Sequence, residues 1–176
     1  QYEGRVRLDQ AIQIEEQLYS LLGLDEDSSK PKVLGQVKAM QAGALARKSE
    51  IVETLEIVIY LNSAKESATK SLYALAKLIS KSKELSGKPV RSNESVCEFD
   101  VVKIHGISFS GLKLEIWFCA SPPSPEQKVW FAAHPSLRAN VAKLKSAPSI
   151  YWFEPEWGQR FFGRQTKDKN FSKYYT

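Results

Sequence analysis

Apolar positions recur at helical spacing near the start of the chain. Leu8, Ile12, Tyr19 and Leu22 form one stripe, with Ala11, Ile14, Leu18 and Leu21 beside it. The result is a broad apolar face, wider than a coiled-coil seam, and it predicts a helix over residues 5–22. Gly23 suits the exit, where a left-handed residue is common. Asp25 to Pro31 reads as a polar turn, and Pro31 is tolerated near a helix start because a first-turn amide has no partner anyway. From residue 32 to 62 the positions Val37, Gln41, Ala44, Lys48, Ile51, Leu55, Val58 and Asn62 alternate spacings of four and three. That heptad seam predicts a second, longer helix. Gly35 and Gly43 weaken it by ~1 kcal/mol each relative to alanine. The β-branched run Glu56–Leu61 favours a strand instead, which is the competing reading. Ser63 and Glu66 fit a capping box for a third helix reaching about Leu85. Ala68, Leu72, Leu75 and Ile79 supply its core stripe, Lys81 and Lys83 sit at its negative end, and Gly87 with Pro89 stops it.

Residues 86–95 read as a linker, and beyond them the period falls to two. Val96–Ile104 is expected as a strand, His105-Gly106 as a turn, and Leu112–Cys119 as a strand after Gly111. In that last strand Leu112, Leu114, Ile116 and Phe118 face one way, and Lys113, Glu115 and Trp117 the other. Ser121–Pro125 is too proline-rich for a central strand. Lys128–Ala133 is expected as a third strand and Ser149–Phe153 as a fourth. Between them Ser136 caps a helix to Ala147, with Leu137, Val141 and Leu144 inward. The sum is an α+β fold: about three N-terminal helices, then a small, mainly antiparallel sheet of about four strands with one crossing helix. Residues 1–88 form the helical region and 96–176 the sheet region, together one compact unit. The second helix is apolar on too many sides to stand alone, so it packs on the sheet or self-associates.

Composition sharpens the division. All four tryptophans and all eight phenylalanines lie beyond residue 98. A length of 176 residues suffices for a core without metal or disulfide support, and 43% hydrophobic against 26% charged residues excludes wholesale disorder. The net charge of +5 is uneven. Residues 1–88 hold 13 cations against 12 anions, and residues 89–176 hold 12 against 8. Cys97 and Cys119 are too few for a disulfide scaffold and are expected as thiols in strands. No apolar run reaches the 18 or so residues of a membrane span, and no secretory leader pattern opens the chain. An intracellular location is therefore expected. Gln1 in place of Met is expected of a processed or excised chain.

Candidate chemistry is sparse. Asp100, Lys113 and Glu115 could share one sheet face, and two carboxylates with a lysine are what metal-dependent phosphodiester cleavage requires. The lysine precedes Glu115 where the nuclease pattern places it after, and polar residues on a solvated sheet face give the same spacing. His105 and His134 lack a Cys, Asp or His at ligand spacing, so no metal site is written, and no cofactor loop is present. A Cys119–His134 nucleophile pair and a Glu154–Glu156 acid pair are the remaining weak combinations.

The last twenty residues interleave rings and cations. Arg160, Phe161, Arg164, Lys167, Lys169 and Lys173 sit among Trp157, Phe162, Phe171, Tyr174 and Tyr175. Cations track a phosphate backbone while rings stack on unpaired bases. The expected function is non-enzymatic nucleic-acid binding through this tail and the sheet. The alternatives are an assembly or adaptor module that oligomerises or takes a protein partner through its helices, and a nuclease-like domain.

Overall fold

A computed structural model describes residues 4–24, 34, 37–62 and 67–138 of the chain. In chain order the elements are β1 (Val6–Arg7), α1 (Leu8–Leu22), β2 (Val37–Ala42), α2 (Gly43–Ala46), β3 (Ile51–Val52), β4 (Thr54–Leu61), α3 (Ala68–Lys81), β5 (Leu85–Val96), β6 (Phe99–Phe109), β7 (Leu112–Cys119), α4 (Pro125–Ala132) and α5 (Pro135–Arg138). The fold is α+β, built on a mixed sheet of five strands in the order β2-β4-β7-β6-β5, with β1 and β3 paired separately. Neighbours run antiparallel except β4 and β7, which are parallel.

The largest correction concerns residues 32–62. In place of one long helix the chain forms β2, a single helical turn at α2, then β3 and β4. The reason lies in β4, a central strand covered on both faces. Leu55, Ile57 and Ile59 are fully buried beneath α1 and α3, and Val58 is fully buried on the other face beside α4. A strand covered twice shows no polar alternation, so its run of apolar residues mimics a helix buried all round. Of the two expectations for that apolar segment, packing on the sheet or self-association, its burial within the sheet beneath the flanking helices accounts for its apolar residues. Two of the five strands thus come from the part of the chain expected to be purely helical, and the helices are not confined to the N-terminal side.

Alternation along the strands sorts the core into two layers. One face carries Leu55, Ile57, Ile59, Leu112, Leu114, Ile116 and Phe118 against Leu18 and Leu22 of α1 and Leu72, Leu75 and Ile79 of α3. The opposite face carries Val58, Val101, Trp117 and Cys119 against Val129, Trp130 and Phe131 of α4. Helices α1 and α3 behave as their stripes predict. Gly23 closes α1 in the left-handed conformation at φ 70°. Ser67 caps α3 by accepting from the Lys70 amide, while Ser63 and Glu66 lie outside the described residues.

The region after α3 departs from expectation in three places. The supposed linker 86–95 belongs to β5, a mostly exposed edge strand that pairs with β6. The expected strand Val96–Ile104 is divided at Cys97-Glu98, where both residues have positive φ in a two-residue hairpin turn. Cys97 therefore sits in a turn, and only Cys119 in a strand. His105-Gly106 is no turn. Strand β6 passes straight through it with a register shift between Ile104 and Ile107, opposite a matching shift between Gly87 and Val90 in β5. A Cβ on Gly106 would stand 2.6 Å from the Lys88 carbonyl oxygen, so glycine is what allows the two bulged strands to close up. Finally, Lys128–Ala132 is helical. Ser124 and Gln127 form a capping box and Pro125 occupies the first turn of α4, which overrides the strand preference of Val129, Trp130 and Phe131. The helix expected from Ser136 begins as α5, with Leu137 buried, and residues 139–147 and the expected strand Ser149–Phe153 lie outside the described residues.

Candidate nucleic-acid interface

The acid/base trio does not assemble. Asp100 follows the parity of Val102 and lies on the α3 side of the sheet, beside Leu72 and Phe118. Glu115 lies on the α4 side, where it pairs with Lys103 at 3.6 Å, and Lys113 is exposed two positions before it on that same side. One sheet therefore separates Asp100 from its two expected partners. Among the described residues no group of three or more His, Cys, Asp or Glu side chains is placed to hold a metal ion. Cys119 is buried, and burial pushes its thiol up to about 12. His134 is held below its ordinary value by burial and by the nearby Arg47 and Arg138, and its Nδ1 accepts from the Ser136 amide at 3.2 Å. Neither is arranged as a nucleophile and its base. Glu154, Glu156 and the tail residues Arg160, Phe161, Arg164, Lys167, Lys169 and Lys173 lie outside the described residues.

Two buried carboxylates were missed in the sequence, and both lock elements together. Glu56, on β4, accepts from Arg138 Nη1 at 2.7 Å and from Trp117 Nε1 at 3.3 Å. Arg138 also donates to the carbonyls of Trp130 at 3.0 Å and Phe131 at 2.6 Å, and its guanidinium lies 4.7 Å from the Trp130 ring centroid. Trp117, Trp130 and Phe131 meet edge to face around it. The ion pair thus fastens the end of α4 and all of α5 to the sheet centre. Glu15 of α1 accepts from Gln41 Nε2 at 2.8 Å and from the Tyr19 hydroxyl at 3.4 Å. Burial raises the Glu15 carboxyl above its ordinary value, with the bonds from Gln41 and Tyr19 and the charge of Lys48 opposing.

The solvent-facing chemistry concentrates on α3 and β5. Between Ser67 and Val96 the chain carries Lys70, Lys77, Lys81, Lys83, Lys88 and Arg91 against two anions, Glu84 and Glu94. All six cations are exposed, and within the described residues none forms an ion pair or a side-chain hydrogen bond. At about 100° per residue, Lys70, Tyr73, Lys77 and Lys81 share one arc of α3 roughly 80° wide. Tyr73 is 70% exposed, the most exposed large hydrophobic side chain among the described residues. Helix α1, on the same side of the sheet, has the reverse polarity: Asp9, Glu15 and Glu16 with no lysine or arginine. Charge totals taken over half the chain hide this. The acids of α1 and its flanks cancel the lysines of α3, although the spacing of residues 70, 77 and 81 was visible.

Beside the lysine stripe lies a groove of about 290 Å³ between α3 and the β5–β6 hairpin. Leu72, Ala76, Val102 and Phe118 line its apolar part, and Tyr73, Arg91, Asn93 and Asp100 its polar rim. No protein-family model and no curated protein matches the sequence.

Proposed function

We propose that the protein is a non-enzymatic nucleic-acid-binding protein whose contact surface is the α3–β5 face, extended by the basic, aromatic segment 157–176. The observation that carries this reading is the run of six exposed cations from Lys70 to Arg91, none paired among the described residues, with the Tyr73 ring standing among them. An ordinary solvated surface mixes both signs. A stretch with six cations against two acids, beside a helix whose charged residues are all acidic, produces a directed potential, and a polyanion is the ligand that such a potential attracts. The rings and cations of the tail suit the same ligand.

The test is titration of a labelled single-stranded oligonucleotide across a salt series. Affinity should fall steeply as salt rises, because bound cations release counterions from the phosphates. The triple substitution Lys70→Gln, Lys77→Gln, Lys81→Gln lies on an exposed face and should leave thermal stability within a few degrees. It should weaken binding at least tenfold at low salt. Binding indifferent to salt, or unaltered in the triple variant, would remove the reading.

A further inference from the structure

We propose that the groove beside α3 receives one unpaired guanine base from a single strand whose phosphates lie along the α3 lysines. This rests on the nucleic-acid reading above and adds to it a strand type and a base.

The geometry restricts the occupant in three ways. The cavity, about 290 Å³, lies at the small end of ligand pockets, which run from ~300 to 1,000 Å³. It admits one flat ring system and is too small for a helix or a stacked duplex step. Its apolar lining, Leu72, Ala76, Val102 and Phe118, suits the face of a base. Its rim holds Asn93 and Asp100, whose side chains have no partner among the described residues.

Asp100 stands at the end of a hairpin that also carries Glu94 and Glu98, with Arg91 the one cation among the described residues that line the groove, and a carboxylate there repels phosphate, so Asp100 has no place in simple backbone binding. It has a use if the ligand presents donors. A carboxylate offers two acceptor oxygens side by side. Guanine presents two adjacent donors, N1–H and the N2 amine, on its pairing edge, and its O6 can accept from the Asn93 amide. Adenine and cytosine present one exocyclic amine beside a ring acceptor, which faces Asp100 with a repulsive contact. Thymine and uracil present one donor between two acceptors. A duplex occupies that edge in base pairing, so the guanine must be unpaired. Tyr73, on the same rim, offers its ring for the base to stack on. Arg91 then meets a neighbouring phosphate.

The experiment uses the full chain and labelled ten-nucleotide strands: all-thymine, and the same strand with one central guanine, adenine or cytosine. The guanine strand should bind about tenfold tighter than all-thymine, within the range of one good base contact. The same sequence annealed to its complement should lose that preference. Asp100→Asn should abolish the preference for guanine, and the removed negative charge should leave all-thymine binding equal or stronger. Tyr73→Ala should weaken every single strand several-fold. Equal affinity for the guanine and thymine strands, or an intact preference in Asp100→Asn, overturns the assignment while leaving the basic-face reading standing. Failure of every strand to bind overturns that reading as well. A fluorescent probe at Ala76→Cys that ignores all strands but responds to a leucine-rich amphipathic peptide would give the groove to a protein partner instead.

Discussion

Glu56 shows how a buried ion pair can organise one face of a sheet. Its side chain is 5% exposed and that of Arg138 is 9% exposed. Gly43 sits against the carboxylate at φ 55°, where any Cβ would collide with Glu56 Oε2, so the pocket tolerates no larger residue. Removing one charge leaves the other buried without a partner. Arg138→Met should therefore cost about 3–5 kcal/mol in urea denaturation. Glu56→Gln in the Arg138→Met background should cost less than Glu56→Gln alone, because no stranded guanidinium remains. Additive losses would show that the pair is not coupled. Glu15 allows a test of sign. Its carboxyl is raised in the folded state, so the fold holds a proton there more tightly than the unfolded chain does. Stability then falls as pH rises from the ordinary value of 4.5 through the raised one. Glu15→Gln keeps an acceptor for Gln41 and cannot ionise. It should stabilise the protein at pH 7, and the gain should vanish below about pH 4.5. A gain that persists in acid would place the effect in packing instead of titration.

Elements with one wet face were legible in the sequence, and elements without one were not. Helices α1 and α3 each show polar residues opposite an apolar stripe, and the alternation of β7 sorted Leu112, Leu114, Ile116 and Phe118 onto the correct face. Strand β4 is covered on both faces and helix α4 buries the consecutive residues Val129, Trp130 and Phe131, and each was assigned the wrong type. Strand β5 failed for the opposite reason. Its exposed Ser, Gly, Lys and Pro residues carry no apolar signal, and only its pairing with β6 makes it a strand. As for the site, the partners expected for Asp100 lie across the sheet from it, because sequence spacing does not show where a hairpin turns. Helix α4 was recoverable from local chemistry. Ser124 accepts from the Gln127 amide at 3.2 Å, and the Gln127 side chain accepts from the Ser124 amide at 2.9 Å. For an eight-residue helix this cap is a large share of local stability. Ser124→Ala should lower the global unfolding free energy by about 1 kcal/mol. Hydrogen exchange in residues 125–132 should quicken. Unchanged exchange there would mean that Trp130 and Phe131 hold the helix by packing alone.

At the scale of the molecule two stretches carry more cations than acids, the α3–β5 run and the last twenty residues, and on the proposed function one strand bridges them only if both contact it together. Each single-strand phosphate contact contributes about 0.7 to the slope of log affinity against log salt. Neutralising Lys70, Lys77 and Lys81 should therefore reduce that slope by about 2. Neutralising Arg160, Arg164, Lys167, Lys169 and Lys173 should reduce it by about 3 to 4. If one strand spans both patches, the reductions add in the combined variant, and the tail substitutions also shorten the stretch of nucleotides that each protein occludes. If the patches compete for the same phosphates, the combined loss falls short of the sum and the occluded length stays constant. Occluded length comes from saturating a long homopolymer, a measurement independent of the slope. A tail variant with normal slope and normal occluded length would confine binding to the α3–β5 face. Unaltered slopes in both variants would leave the cations of this chain without a nucleic-acid role.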